Sequence, residues 1–310
     1  MTGSTIASRK LADDSGRARL PDRSDFAVAA DGVRLAFDVY GSGTPTIMLL
    51  PSAPIIHSRQ WKAQIHFLSR HHRVVAYDGR GNGRSDRPLE PAGYGDELMT
   101  QDIVTVMDAT ETPRAVLVGQ CSDAVWRAIR LDADQPERVA GIVAFAVGVP
   151  RITPPYPWYA EMDFERDLPT YEGWAKLNRH AWERDYADYA RFFFAEVTAE
   201  PHSTKVIEDA VAWALDGSVP AMLAESELDF TLSREEVDAI CRRVTCPMLL
   251  VHGTADRCQP IARAHRLAEL TGAPLVVVEG AGHMIPGRHP VLANLLIRDF
   301  VRSLEEETVP

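Results

Sequence analysis

The 310 residues predict an α/β chain: a mostly parallel sheet with helices on both faces, interrupted late by an all-helical insertion. Three observations carry that expectation. Short apolar runs bounded by turn residues, such as TIMLL at Thr46–Leu50, suit strands buried on both faces. These runs alternate with segments whose apolar residues return at helical spacing. Between residues 150 and 240 the strand-like runs stop, and aromatics with helical periodicity replace them.

In chain order, residues 1–22 are polar, small and aperiodic, so a mobile tail is expected. Asp25–Ala29 and Arg34–Tyr40 read as strands around an Asp31-Gly32 hairpin turn. The Gly41–Pro45 loop precedes the Thr46–Leu50 strand. PSAPIIHSRQWKAQIHFL then runs from a loop into a helix with Trp61, Ile65 and Leu68 on its apolar face. Arg73–Tyr77 is another buried strand, followed by Asp78-Gly79-Arg80-Gly81-Asn82-Gly83-Arg84-Ser85, whose three glycines mark a tight backbone path. That loop has neither the GxxxxGK[ST] of a P-loop nor a GxGxxG opening a helix. A helix over Asp96–Ala109 leads to RAVLVGQCSDAVWRAIR, Arg114–Arg130, where an apolar strand turns directly into an amphipathic helix and raises Cys121 onto the corner. Gly141–Val147 is the next buried strand.

The insertion, 150–240, holds Pro150, Pro154, Pro155 and Pro157 and a dense set of aromatics, most of which are expected to form its own small core. Strand character resumes at Cys246–Gly253 and ends in His252-Gly253-Thr254-Ala255-Asp256. A helix over Ile261–Leu270, a strand over Pro274–Val278, the Gly280–Met284 loop and a helix over Pro290–Ser303 complete the chain.

The DxRGxGxS segment at Asp78–Ser85, followed by VLVGxCxxA at the strand–helix corner, resembles the α/β-hydrolase superfamily of the epoxide hydrolase and haloperoxidase type. The resemblance covers roughly residues 25–150 and 240–305 and implies an α/β-hydrolase fold: an eight-stranded, mostly parallel sheet flanked by helices. It divides the chain into a core domain of residues 23–149 and 241–310 and a helical cap of 150–240, inserted after the sixth strand, that selects the substrate. Gly119-Gln120-Cys121-Ser122-Asp123 then corresponds to the nucleophile elbow, Gly-x-nucleophile-x-small, with two departures: Cys121 replaces the usual Ser, and Asp123 the second small residue. Asp256 takes the acid's place and His283 the catalytic histidine's, in the order nucleophile, acid, histidine. Backbone N–H groups of Ala53 and Ser122 are the expected oxyanion hole. The DxRGxGxS loop receives a structural role only. Among the other histidines none falls on a family catalytic position, and His252 is expected at a strand end.

The chemistry that follows is acyl transfer through an enzyme-bound thioester. His283 would take the Cys121 proton and later protonate the leaving group, while Asp256 holds the imidazole. A helix N-terminus and His283 should both lower the Cys121 pKa. Asp123 complements the helix dipole but opposes a thiolate, or it contacts substrate. The expected substrate is a small ester, thioester or lactone, hydrolysed or passed to another acceptor, including by cyclisation. Within the superfamily, a cysteine elbow resembles dienelactone hydrolases, polyhydroxyalkanoate synthases and cyclising enzymes. Epoxide opening and dehalogenation are disfavoured, since those relatives carry Asp at the elbow. The rival reading is a small-molecule-binding protein on the same fold, favoured by the elbow departures and by a PSAP loop lacking the common His-Gly pair.

Composition bounds the partners. With 45% hydrophobic and 25% charged residues, the chain can bury a sizeable core. A net charge of −11 disfavours nucleic acid and anionic membrane. No apolar stretch approaches a membrane span, and no N-terminal apolar segment suggests secretion. The four cysteines, at 121, 241, 246 and 258, lack metal-ligand spacing and are expected as reduced thiols in a cytoplasmic protein. No metal or other cofactor is implied, and a homo-oligomer is compatible with the composition.

Overall fold

The computed structural model describes residues 19–306 except 53, 203 and 229. One eight-stranded sheet organises it, in the order β1-β2-β4-β3-β5-β6-β7-β8. The strands are β1 (Arg23–Val28), β2 (Arg34–Tyr40), β3 (Thr46–Leu49), β4 (Val74–Tyr77), β5 (Ala115–Gln120), β6 (Val139–Phe145), β7 (Met248–Gly253) and β8 (Leu275–Val278). β1 and β2 are antiparallel to their neighbours, and the remaining pairings are parallel.

The continuous apolar runs have a direct cause. In β5 every residue is buried, with Ala115 and Leu117 entering the core layer on one face and Val116 and Val118 the layer on the other. α2 (Asp96–Ala109), α3 (Cys121–Asp134), α8 (Arg234–Cys241) and α9 (Ile261–Thr271) cover the first face; α1 (Lys62–Leu68) and α11 (Pro290–Glu306) cover the second. The sequence placed Trp61, Ile65 and Leu68 on one apolar face, and all three are buried in that second layer.

Between β6 and β7 the chain is helical: α4 (Pro157–Ala160), α5 (Arg179–Val197), α6 (Lys205–Leu215), α7 (Val219–Ser226) and then α8. Its aromatics make their own cluster, with Trp158 stacked on Trp174 at 3.7 Å between ring centroids. That cluster is continuous with the main body, because Ile55, Ile56 and Met284 are buried in it together with Trp182, Tyr189 and Phe194.

Of the expected N-terminal tail, residues 1–18 lie outside the described residues. Arg19 and Asp22 are tied to the body, Arg19 through Ser69 and Asp22 through the Val39 carbonyl. In the loop after β4, Asp78 accepts backbone N–H groups of Ser58 and Arg84 at 3.0 Å each, and Arg80 pairs with Asp102 through two bonds of 2.6 and 2.7 Å. Such charge-assisted, two-point contacts hold the loop in place. The last short helix, α10 (Ile285–Arg288), follows the His283 loop.

Candidate active site

The site lies outside the carboxyl ends of the parallel strands, where an open α/β sheet has its crevice. β5 delivers Cys121, β7 delivers Asp256, and β8 delivers His283. Cys121 opens α3 with φ of 70°, a left-handed conformation that costs a non-glycine residue about 1–2 kcal/mol. The corner that imposes this φ depends on Gly119. A Cβ added there would lie 2.9 Å from Ala124 Cβ and 3.1 Å from the Ala124 carbonyl carbon. The residue crowding Gly119 is thus Ala124, so Gly119 itself does not demand a small residue at Asp123.

Asp256 and His283 are buried, and His283 Nδ1 lies 2.8 Å from Asp256 Oδ2. The other carboxylate oxygen accepts the backbone N–H groups of Cys258 and Gln259 at 2.8 and 2.9 Å. Burial opposes charge on Asp256, but His283 and these donors hold its pKa below the ordinary carboxylate value. The His283 loop is fixed from both sides. Its N–H donates to Val197 O at the end of α5 at 2.9 Å, and Gln120 Nε2 donates to its carbonyl at 3.2 Å. Gly253 allows the loop to approach β7, since a Cβ there would stand 2.1 Å from the Ala281 carbonyl oxygen.

Cys121 Sγ, Cys258 Sγ and a ring nitrogen of His283 all lie within 4.8 Å of one another. The nearby Cys258 thiol, with His283 and the Ser122 backbone, outweighs burial and lowers the Cys121 pKa well below the usual thiol range. Burial alone would favour neutral imidazole, yet Asp256 and Cys121 raise His283 well above its ordinary value. Both shifts act toward charge separation between the Cys121 sulfur and the His283 ring. Cys258 moves the opposite way: its contact with the Cys121 sulfur and its burial keep it a protonated thiol. Two sulfurs and one imidazole also form the grouping among the described residues best able to hold a thiophilic ion.

The remaining expected residues fall as follows. Ser122 follows Cys121, and its hydroxyl accepts from Gln259 Nε2 at 3.1 Å and from the Cys121 sulfur at 3.9 Å. Ala53 lies outside the described residues. Asp123 faces Arg127 at 3.6 Å on the next turn, and Arg127 also lies 3.8 Å from Glu225 of α7. Burial and the nearby sulfur raise the Asp123 pKa against the pull of Arg127. His252 is a strand-end residue, as expected, but it is also fully buried with Nε2 3.5 Å from Asp256 Oδ2. Sequence reasoning missed that second histidine on the acid, and it missed Cys258 and Gln259. The available signal was a thiol two positions beyond Asp256 on the same loop.

The chain matches the alpha/beta hydrolase family over residues 25–294. It belongs to that family. The non-heme haloperoxidase of Rhodococcus erythropolis is 30% identical over 90% of this chain and 99% of its own length. Epoxide hydrolase A of Mycobacterium tuberculosis is 26% identical over 90% and 97%. The solved enol-lactonase from Burkholderia xenovorans LB400 superposes with a TM-score of 0.71 at 20% identity, covering 90% of this chain and all of that one, a likeness of fold. These relatives are named as enzymes, in agreement with an enzyme rather than a binding protein. No helix among the described residues is long and apolar enough to cross a membrane.

Proposed function

We propose that this α/β-hydrolase cleaves a small ester, thioester or lactone through a Cys121 acyl-enzyme, with His283 and Asp256 completing the triad and residues 150–240 acting as the cap over the acyl group. The observation that carries the reading is the reach of His283: one ring nitrogen lies 2.8 Å from Asp256 Oδ2, and a ring nitrogen lies within 4.8 Å of the Cys121 sulfur. The thiolate attacks the carbonyl carbon, and the Ser122 N–H receives the oxyanion, with the second donor assigned to Ala53 by the family resemblance alone. One such donor is worth about 100- to 1,000-fold in rate. Imidazolium His283 then protonates the leaving group. Neutral after that transfer, it takes the proton of the incoming acceptor, and the second tetrahedral intermediate collapses to regenerate thiolate and imidazolium.

A thioester intermediate reacts readily with amines and thiols as well as water, so acyl transfer or cyclisation stands beside hydrolysis. The enol-lactonase of like fold is named for a lactone, a substrate class that fits this chemistry. A free thiolate nucleophile also suits a reducing, cytoplasmic setting.

Intact-protein mass spectrometry tests the reading, using wild type and Cys121→Ala mixed with p-nitrophenyl esters and acyl thioesters of several chain lengths. One acyl increment on wild type alone is expected, released by water, amine or thiol. Equal labelling of Cys121→Ala, or a complete absence of adduct and product with every donor, would overturn it.

A further inference from the structure

Cys258 makes and breaks no bond in acyl transfer, yet among the described cysteines it is the one grouped with Cys121. The Sγ atoms of Cys121 and Cys258 lie within 4.8 Å, and one amide nitrogen, Gln259 Nε2, spans them at 4.0 and 3.7 Å. Both residues are partly exposed and both are free. We propose that Cys121 and Cys258 form a reactive dithiol that reduces a hydroperoxide, with Cys121 attacking the peroxide oxygen and Cys258 resolving the product into a Cys121–Cys258 disulfide. This rests on Cys121 being the reactive thiolate of the acyl-transfer reading, but not on acyl transfer itself.

The surroundings fit a two-step reaction. Cys121 stands at the start of α3, His283 supplies positive charge to its sulfur, and the Arg263 guanidinium to both sulfurs. In the first step the thiolate bonds to the terminal oxygen of the hydroperoxide and the O–O bond breaks. Cys121 becomes a sulfenic acid, and the departing alkoxide takes the His283 proton to leave as alcohol. The repulsion that kept Cys258 protonated is then gone. In the second step neutral His283 accepts the Cys258 proton, the Cys258 sulfur bonds to the Cys121 sulfur, the S–O bond breaks, and hydroxide takes the proton from His283 to leave as water. Two thiols and one hydroperoxide give one disulfide, one alcohol and one water. The other two cysteines differ sharply in environment: burial pushes Cys241 up to about 12 and Cys246 further still, so both remain neutral thiols.

The experiment treats reduced wild type and Cys258→Ser with a stoichiometric amount of tert-butyl hydroperoxide, followed by intact mass and peptide mapping. Wild type should lose two hydrogens, yield a Cys121–Cys258 cross-linked peptide, lose its acylation by a p-nitrophenyl ester and regain it with dithiothreitol. Cys258→Ser should instead gain one oxygen, at Cys121, trapped by dimedone. The proposal is overturned if wild type accumulates sulfinic acid at Cys121 without the cross-link, or forms its disulfide through Cys241 or Cys246. The wild-type peptide map stands whether or not the variant folds. Acylation of the untreated protein, measured in parallel, separates a failure of the dithiol from a failure of the triad.

Discussion

Replacing Asp256 with Asn probes the centre of the site without removing its scaffold. The two backbone donors on Oδ1, from Cys258 and Gln259, can be kept by the amide oxygen. Asp256→Ala would strand both, at about 1–3 kcal/mol each, and would confuse stability with chemistry. What Asn cannot keep is the 2.8 Å bond to protonated His283 Nδ1, because its Nδ2 is a donor facing a donor. A hydrogen bond to a charged group contributes about 1.5–3 kcal/mol, which is about 10- to 150-fold in the imidazolium population. The amide also favours the imidazole tautomer with its proton on the sulfur side, and that tautomer cannot serve as base; together the two effects reach about 10,000-fold in triads. Asp256→Asn should therefore lower kcat/KM for a p-nitrophenyl ester between about 100- and 10,000-fold. The pH midpoint of iodoacetamide alkylation at Cys121 should rise by about 1–2 units, the same 1.5–3 kcal/mol expressed as a titration. An activity within a factor of three of wild type and an unmoved alkylation curve would refute the assignment of Asp256.

Further outcomes follow from the same geometry. In wild type, alkylation of Cys121 should persist well below pH 8, since its thiolate is held by Cys258, His283 and the Ser122 backbone, whereas Cys241 and Cys246 should remain unlabelled there; this is read by peptide mapping after brief iodoacetamide exposure. Gly119→Ala forces a methyl to 2.9 Å from Ala124 Cβ and should cost about 1–3 kcal/mol in urea unfolding, with a larger loss in kcat as the elbow shifts. Burial and Asp123 push Glu225 up to about 8 against the pull of Arg127, so folded protein retains a proton that the unfolded chain releases near 4.5. Stability should then fall as pH rises from 4.5 to about 8, and Glu225→Gln should flatten that decline in thermal melts taken across the range. Phe194→Ala, emptying a fully buried ring site beside Ile55, Ile56 and Met284, should cost about 3–5 kcal/mol in the same urea assay.

Much of the architecture was legible because its physics is local. A strand buried on both faces must be apolar throughout, so β3 to β6 stood out as short unbroken runs, and β2, α2 and the starts of α9 and α11 coincide with the expected bounds. Elsewhere the edges moved by one to three residues, as with α11, which runs on to Glu306, because terminal turns are decided by packing and capping. Cys121, Asp256 and His283 could be named because each stands at a chain reversal with its own motif. Cys258, Gln259 and His252 carried no such mark. Their relevance arises from distances across 138 residues, as between Gln259 and Cys121, or from sharing a carboxylate, as His252 does with Asp256.

The sequence by itself therefore determined the order of strands and helices, the strand–helix corner at Cys121 and the placing of Cys121, Asp256 and His283 in loops after successive strands, since hydrophobic period, glycine and local motif act over a few residues. Only the tertiary structure decided which side chains meet. It brought a second thiol against Cys121, drew the His283 loop between Val197 and Gln120, and gave Asp123 its cationic neighbour in Arg127 with Glu225 beyond. Those contacts set the charges of the site, because a pKa answers to burial and to the groups within a few ångströms, whatever their separation along the chain.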